Sequence, residues 1–292
     1  MRANPAEYEL VAPGTLQEVL ALRATEPGSW LPVAGGTDVM VLYAAGKLQA
    51  RKLVSIDGLR ELRNIEVASA EVRIGAGCTY TDLRQHSVIA NEFPLLARAA
   101  AWTGGIANQN RGTLGGNIAN ASPAGDSLPV LLVYDADLIL VSTSAERRIP
   151  YRTFHTGYKK TLLAPDELIH SICINRNLAG YISYAKKVGA RNAQAISKVF
   201  LAAVTRVSNT TIADVRLAAG SVGPVPIRLT GTERALVGQL INDSLLETAG
   251  RVMAEEIQPI DDIRSTAAYR TIVLRNLLGD LLQGLSGARI AS

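Results

Sequence analysis

Pro32-Val33-Ala34-Gly35-Gly36-Thr37-Asp38 and Arg111-Gly112-Thr113-Leu114-Gly115-Gly116-Asn117 are the two stretches on which the reading of this chain turns. Each has paired glycines, a hydroxyl residue and a polar residue just after the pair. The second runs on into Ala119-Asn120-Ala121-Ser122-Pro123-Ala124-Gly125-Asp126. Glycine lets a backbone turn through positive φ and lets a ligand come close. Successive N–H groups in such a turn form a concave anion site. Two such turns on one fold suit the two phosphates of a dinucleotide, held from opposite sides. Paired glycines also mark plain tight turns, and for either cluster alone that reading stays open. The second cluster stacks Thr, Gly-Gly, Asn, Ser-Pro and Asp, and little of that is needed merely to turn a chain.

The flanking pattern places the first cluster. Thr15-Leu16-Gln17-Glu18 is a capping box that opens a helix through about residue 26. Residues 30–34 read as a short buried strand and residues 39–45 as the helix that follows. The first cluster therefore lies at a strand-to-helix turn, where N–H groups point outward. Residues 52–56 and 71–74 read as further strands. Thr79 with Asp82 starts a short helix, and residues 94–102 are Ala-rich and helical. The second cluster reads as too glycine-rich for regular structure until about residue 128. A helix over 128–134 and strands over 136–142 and 168–174 follow. The stretch 175–180 is the boundary candidate, dividing the chain into 1–177 and 178–292. Beyond it, residues 181–188, 195–207 and 212–219 alternate as β-branched strands, with Asn209-Thr210 as a hairpin turn. Helices over 230–240, 244–256 and 265–285 complete an α+β layer arrangement.

Bulk composition excludes several classes. The 292 residues are 48% hydrophobic and 19% charged, with a net charge of +4, which is ordinary globular composition. Basic residues are dispersed and make no nucleic-acid stripe. No apolar run approaches the roughly 20 residues that span a bilayer, and no signal peptide is visible at the start, so a cytoplasmic location is the default expectation. Cys78 and Cys173 are the only cysteines; they build neither a zinc site nor an iron–sulfur cluster within one chain. Cys173 reads as a buried structural thiol. His86, His155 and His170 are isolated and read as structural or solvated. There is no P-loop, no G-x-G-x-x-G after a strand and no G-x-S-x-G elbow. The chain reads as built to hold a group that does the chemistry for it.

With both clusters in place, the chain resembles the FAD-binding medium subunit of the molybdenum hydroxylases, the xanthine dehydrogenase and carbon monoxide dehydrogenase family, over roughly residues 8–285. Ala34-Gly35-Gly36-Thr37-Asp38 looks like the family's first flavin loop. Thr113-Leu114-Gly115-Gly116-Asn117, with Ser122, Pro123 and Asp126, looks like its second. Phe154-His155-Thr156-Gly157-Tyr158-Lys159-Lys160-Thr161-Leu162-Leu163 is similar to the segment beside the adenine and the flavin edge. Arg216-Leu217-Ala218-Ala219-Gly220-Ser221-Val222-Gly223-Pro224-Val225-Pro226-Ile227-Arg228 and Asp262-Ile263-Arg264-Ser265-Thr266-Ala267-Ala268-Tyr269-Arg270 resemble C-terminal signatures.

The resemblance implies a vanillyl-alcohol-oxidase-type (PCMH-type) FAD-binding domain of two α/β subdomains. A smaller domain of a three-stranded antiparallel sheet with three helices would follow it. It implies that Pro32, Val33, Ala34, Gly35, Gly36, Thr37, Asp38 and Val39 wrap the FAD pyrophosphate through backbone N–H groups. Thr113, Gly115, Gly116 and Asn117 would reach it from the other side, with Ser122 beside them and Asp126 accepting from the adenosine ribose. Leu162 and Leu163 would lie near the flavin. Lys187 falls where the family often puts a lysine near the isoalloxazine, where a cation suits a reduced, anionic flavin; a surface lysine on a strand edge is the competing reading. One departure stands out: Ala107-Asn108-Gln109 replaces the usual Gln-Ile-Arg before the second loop, so a charge is missing there. The cysteine-bearing insertion that one branch uses for an extra cluster is also absent. The implied role is electron transfer within a complex. An iron–sulfur small subunit would deliver electrons, a molybdopterin large subunit would oxidise the substrate, and NAD or another acceptor would take the electrons away. A stand-alone flavin-dependent oxidase or dehydrogenase is the alternative.

Overall fold

The computed structural model describes residues 4–178, 180–191 and 194–287; Ala179, within the boundary candidate, lies outside the described residues. Three parallel strands open the fold, in the order Glu9–Val11, Lys52–Ser55, Trp30–Val33. The Leu16–Thr25 helix covers them and starts where the capping box placed it, with the Thr15 hydroxyl accepting from the Glu18 N–H. Leu16, Val19 and Leu20 bury their side chains with Trp30, Val54, Leu59 and Leu62. The buried Arg23 guanidinium donates to the carbonyls of Trp30, Pro165 and Glu167. That anchors the strand whose end carries the first glycine pair.

A five-stranded antiparallel sheet comes next, in the order Ile65–Val67, Glu71–Gly75, Leu168–Asn175, Asp137–Val141, Glu146–Pro150. Helices Pro94–Trp102 and Ser127–Val133 bury apolar side chains in the core beside it. The expectation of an irregular second cluster is corrected here: Ile106–Gln109 and Leu114–Asn120 are helical. Glycine costs a helix about 1 kcal/mol relative to alanine, yet tertiary packing demands it at this place. An added Cβ on Gly115 would lie 2.5 Å from the Ala76 Cβ and 2.7 Å from the Ala76 carbonyl oxygen. The helix sits so close to the turn after Glu71–Gly75 that only glycine fits.

The last sheet has four antiparallel strands, not three: Ile182–Val188, Val199–Ser208, Thr211–Gly220 and Ile227–Arg228. The fourth is a two-residue edge after Pro224 and Pro226, too short to leave a periodic signature. From Val199 to Thr205 burial is continuous rather than alternating. A strand reads this way when both of its faces are covered. Phe200, Ala202 and Val204 face the core that contains the Ser127–Val133 helix. Val199, Leu201 and Ala203 face helices Asp243–Glu256 and Ala267–Gly287. Arg228 closes the seam between sheet and helix, donating to the Leu132 carbonyl at 3.0 Å and to Asp135 at 2.5 Å. Arg216 meets the other Asp135 oxygen. Among the described residues no helix is long and apolar enough to cross a membrane.

Two identical substitutions should have opposite signs. Gly115→Ala overpacks the Ala76 contact and lowers stability by about 1–3 kcal/mol. Gly284→Ala, where an added Cβ meets nothing within 4 Å, raises it by up to about 1 kcal/mol. Urea midpoints of the two variants check both signs.

Candidate functional site

The two glycine clusters meet at Gly35. An added Cβ there would lie 1.6 Å from the Arg111 carbonyl oxygen and 2.4 Å from its carbon. The first cluster therefore rests directly on the backbone of the second. Gly36 follows with φ 73°, a conformation that other residues adopt only under strain. Among the described residues, the N–H groups of Gly35, Gly36, Thr37 and Asp38 donate to no protein acceptor. Gly35 and Gly36 are half-buried, and Thr37 and Asp38 are exposed. Four consecutive unpaired donors on a turn make a hollow that suits an anion.

The second cluster differs, and the expectation of two matched hollows does not describe it. Its amides are mostly taken: Leu114 N–H donates to the Cys78 carbonyl, Gly115 N–H to Ala76 and Asn117 N–H to Thr113. The buried Thr113 caps the helix, its hydroxyl accepting from Gly116 N–H at 3.1 Å. What the cluster offers is a bare surface. Gly116 is exposed, and an added Cβ there would meet only the Thr113 hydroxyl, at 2.8 Å. Asn117, half-buried, is oriented by the Ser127 hydroxyl, which donates to its Oδ1 at 2.7 Å. Ser122 is also half-buried, and its hydroxyl accepts from Ala124 N–H.

Asp126 and Lys187 were expected to serve separately, one on a ribose and one near a flavin. The structure pairs them at 2.6 Å, with their side chains 7% and 11% exposed. The second Asp126 oxygen accepts from Ser197 at 2.7 Å, and Lys187 also donates to the Trp102 carbonyl at 3.0 Å. Lys187 is therefore no free surface lysine on a strand edge. Both Asp126 oxygens already have donors, so the carboxylate acts first as an internal anchor. Burial pushes its carboxyl above the usual aspartate range, while Lys187 and Ser197 pull it back. The pair ties the second cluster to the last sheet. Beyond it, the Ser221 hydroxyl donates to the Ser197 carbonyl and Arg270 to the Ser221 carbonyl.

Leu162 and Leu163 follow a small hairpin, His155–Gly157 with Lys160–Thr161. The hairpin lies against the second cluster's helix. His155 Nε2 donates to the Ile118 carbonyl at 2.9 Å, and Lys159 reaches Asn120 at 2.6 Å. Leu162 is exposed and Leu163 packs against the core. Arg147 fixes their loop by donating to the Leu162 carbonyl at 2.8 Å and binding Glu167 through two hydrogen bonds. In the departing stretch, Gln109 is buried and accepts from Arg84 at 2.6 Å. The guanidinium near this position thus comes from another helix. Sequence reasoning missed Ser197, Arg147 and the Arg111 backbone contact. None carries a local signal, because each acts on a partner distant in sequence.

These features fit an extended dinucleotide: four free amides for diphosphate oxygens, an unfilled glycine face on the neighbouring cluster, and a fixed cation further along. Together with the α/β frame they define a dinucleotide-binding subunit. Comparison with known proteins carries this further. The family described as the FAD binding domain in molybdopterin dehydrogenase matches residues 6–175, and the CO dehydrogenase flavoprotein C-terminal domain matches residues 184–285. The chain is 31% identical over 274 residues to the xanthine dehydrogenase FAD-binding subunit of Escherichia coli O157:H7, covering 93% of each. It is 30% identical to the glyceraldehyde dehydrogenase medium chain of Sulfolobus acidocaldarius, covering 94% of this chain and 96% of that one. A solved structure of carbon monoxide dehydrogenase from Hydrogenophaga pseudoflava superimposes with a TM-score of 0.90 at 27% identity, covering 95% of this chain and 96% of that one. The chain belongs to the FAD-binding subunits of the molybdopterin dehydrogenases, and is an oxidoreductase component whose cofactor is FAD.

Lys187→Met should leave Asp126 buried without its cation and cost about 3 kcal/mol at neutral pH. The variant raises the Asp126 pKa further above its unfolded value, so the penalty is full above the folded pKa. It is relieved as pH falls through that value. Urea unfolding at pH 7 and pH 5 reads the difference, and adding Asp126→Asn should recover part of the loss at pH 7.

Proposed function

We propose that this chain is the electron-transfer flavoprotein of a molybdenum hydroxylase complex. It would accept electrons from an iron–sulfur subunit and pass them to NAD or another acceptor. A separate molybdopterin subunit would oxidise the substrate. The observation that carries the reading is the row of unpaired N–H groups at Gly35, Gly36, Thr37 and Asp38, pressed against the second glycine cluster. Further support comes from relatives named as medium chains and FAD-binding subunits, matched along nearly their whole length.

Residues 1–177 would hold most of the cofactor and residues 178–292 would close over it. Pro32, Val33, Ala34 and Val39 shape the first turn, and its amides hold the diphosphate. Gly115 sets the second helix close to the frame, and Gly116 leaves room for the cofactor. Thr113, Asn117 and Ser122 fix that helix and the turn after it. Leu162 and Leu163 contribute an apolar edge for the ring. Bound flavin supplies two-electron chemistry that can be divided into single-electron transfers. Lys187 has three N–H donors. With Asp126 and Trp102 engaged, one remains to meet negative charge. Asp126 acts through Lys187, holding the ammonium in place.

Purified chain, as isolated or reconstituted with FAD, should show bound-flavin absorbance; a chain that stays colourless would refute the reading. Gly116→Val tests the geometry. Its side chain would stand on an exposed face, with the Cβ pressing on the capping Thr113 hydroxyl at 2.8 Å, so the fold is kept at some cost in stability, while FAD affinity should drop about a hundredfold. Fluorescence titration with FAD measures the change, and circular dichroism verifies the fold.

A further inference from the structure

Arg111 stands at the junction of the two clusters. Its carbonyl lies under Gly35, and its guanidinium extends to Asp57 at 3.1 Å. Asp57 follows Ile56, whose N–H donates to the Val33 carbonyl. The Arg111 side chain thus runs from the first loop's glycine to the end of the strand beside that loop. It is 56% exposed, and Asp57 is 27% exposed. Exposed ion pairs of this kind contribute little stability. Asp57 also has a second cation, Arg63, at the shorter distance of 2.7 Å. Arg111 can therefore leave Asp57 without stranding a carboxylate.

We infer that Arg111 is the cationic side chain of the diphosphate site, parked on Asp57 and drawn from it when the dinucleotide diphosphate settles on the Gly35–Gly36 amides. The inference rests on the FAD reading above. A guanidinium meets phosphate oxygens with paired, charge-assisted hydrogen bonds. The uncharged amides of the turn give direction, and Arg111 adds the compensating charge. Asp57 then acts as a competitor for that charge and limits affinity.

The competition gives Asp57 a distinctive sign. FAD titration of the full chain, stripped of flavin, should show Arg111→Gln weakening affinity about tenfold, about 1.4 kcal/mol, with a flatter dependence on salt. Arg111→Lys should retain part of the affinity. Asp57→Asn should tighten binding severalfold, because the cation loses its competing partner. ADP, which carries the diphosphate without a flavin, should compete less well against Arg111→Gln, whereas riboflavin should compete equally against both proteins. Thermal unfolding of the flavin-free proteins verifies the folds. Equal FAD affinity of Arg111→Gln and the unaltered chain would overturn the inference while leaving the cofactor reading intact. So would weakened binding in Asp57→Asn, which would make the ion pair a structural clamp. Failure of the unaltered chain to bind FAD would overturn both.

Discussion

The contact of Gly35 with the Arg111 backbone is the constraint from which the site follows. A would-be Cβ at 1.6 Å from a carbonyl oxygen means that the two clusters can be this close only with glycine at that position. Gly35 belongs to the turn after Trp30–Val33, and Arg111 belongs to the segment that leads into the Leu114–Asn120 helix. One missing side chain thus joins a parallel three-stranded layer to an antiparallel five-stranded one. Among the described residues, the first turn's N–H groups donate to none of the protein's own acceptors. Such donors are satisfied by water or by a ligand.

The rest of the fold holds that joint in place. On one side, Arg23 gathers three carbonyls around the strand that feeds the first cluster. On the other, the second cluster's helix rests on Ala76 through Gly115, and the Lys187–Asp126 pair ties the following turn to the last sheet. A buried ion pair contributes modestly to net stability, but losing one partner costs several kcal/mol. It therefore penalises any separation of the sheet from the second cluster more than it rewards their contact. The sheet itself is covered on both faces, so it cannot drift from the helices beside it without exposing apolar surface.

How legible each part was in the sequence follows the range of the interaction. Thr15 with Glu18 and Thr79 with Asp82 are contacts three residues apart, and both capping boxes form where the residues placed them. The Pro94–Trp102 helix is likewise a local matter. The Leu114–Asn120 helix was hidden because glycine opposes helix locally, while its reason, the Ala76 contact, lies far off in sequence. The fourth strand of the last sheet was hidden because two residues have no period. The resemblance named the family and its FAD. It did not reveal that Asp126 and Lys187, 61 residues apart, engage each other. Nor could it distinguish free amides from occupied ones, since Cys78 and Ala76 supply the acceptors that occupy the second cluster.

The proposed function stands or falls with the first cluster's unpaired amides as the diphosphate site. A crystal structure of the chain with FAD decides it. Diphosphate oxygens are expected within hydrogen-bond distance of the Gly35, Gly36, Thr37 and Asp38 N–H groups, with the Gly35–Arg111 contact kept. A diphosphate bound elsewhere, with those four amides turned to solvent, would contradict it.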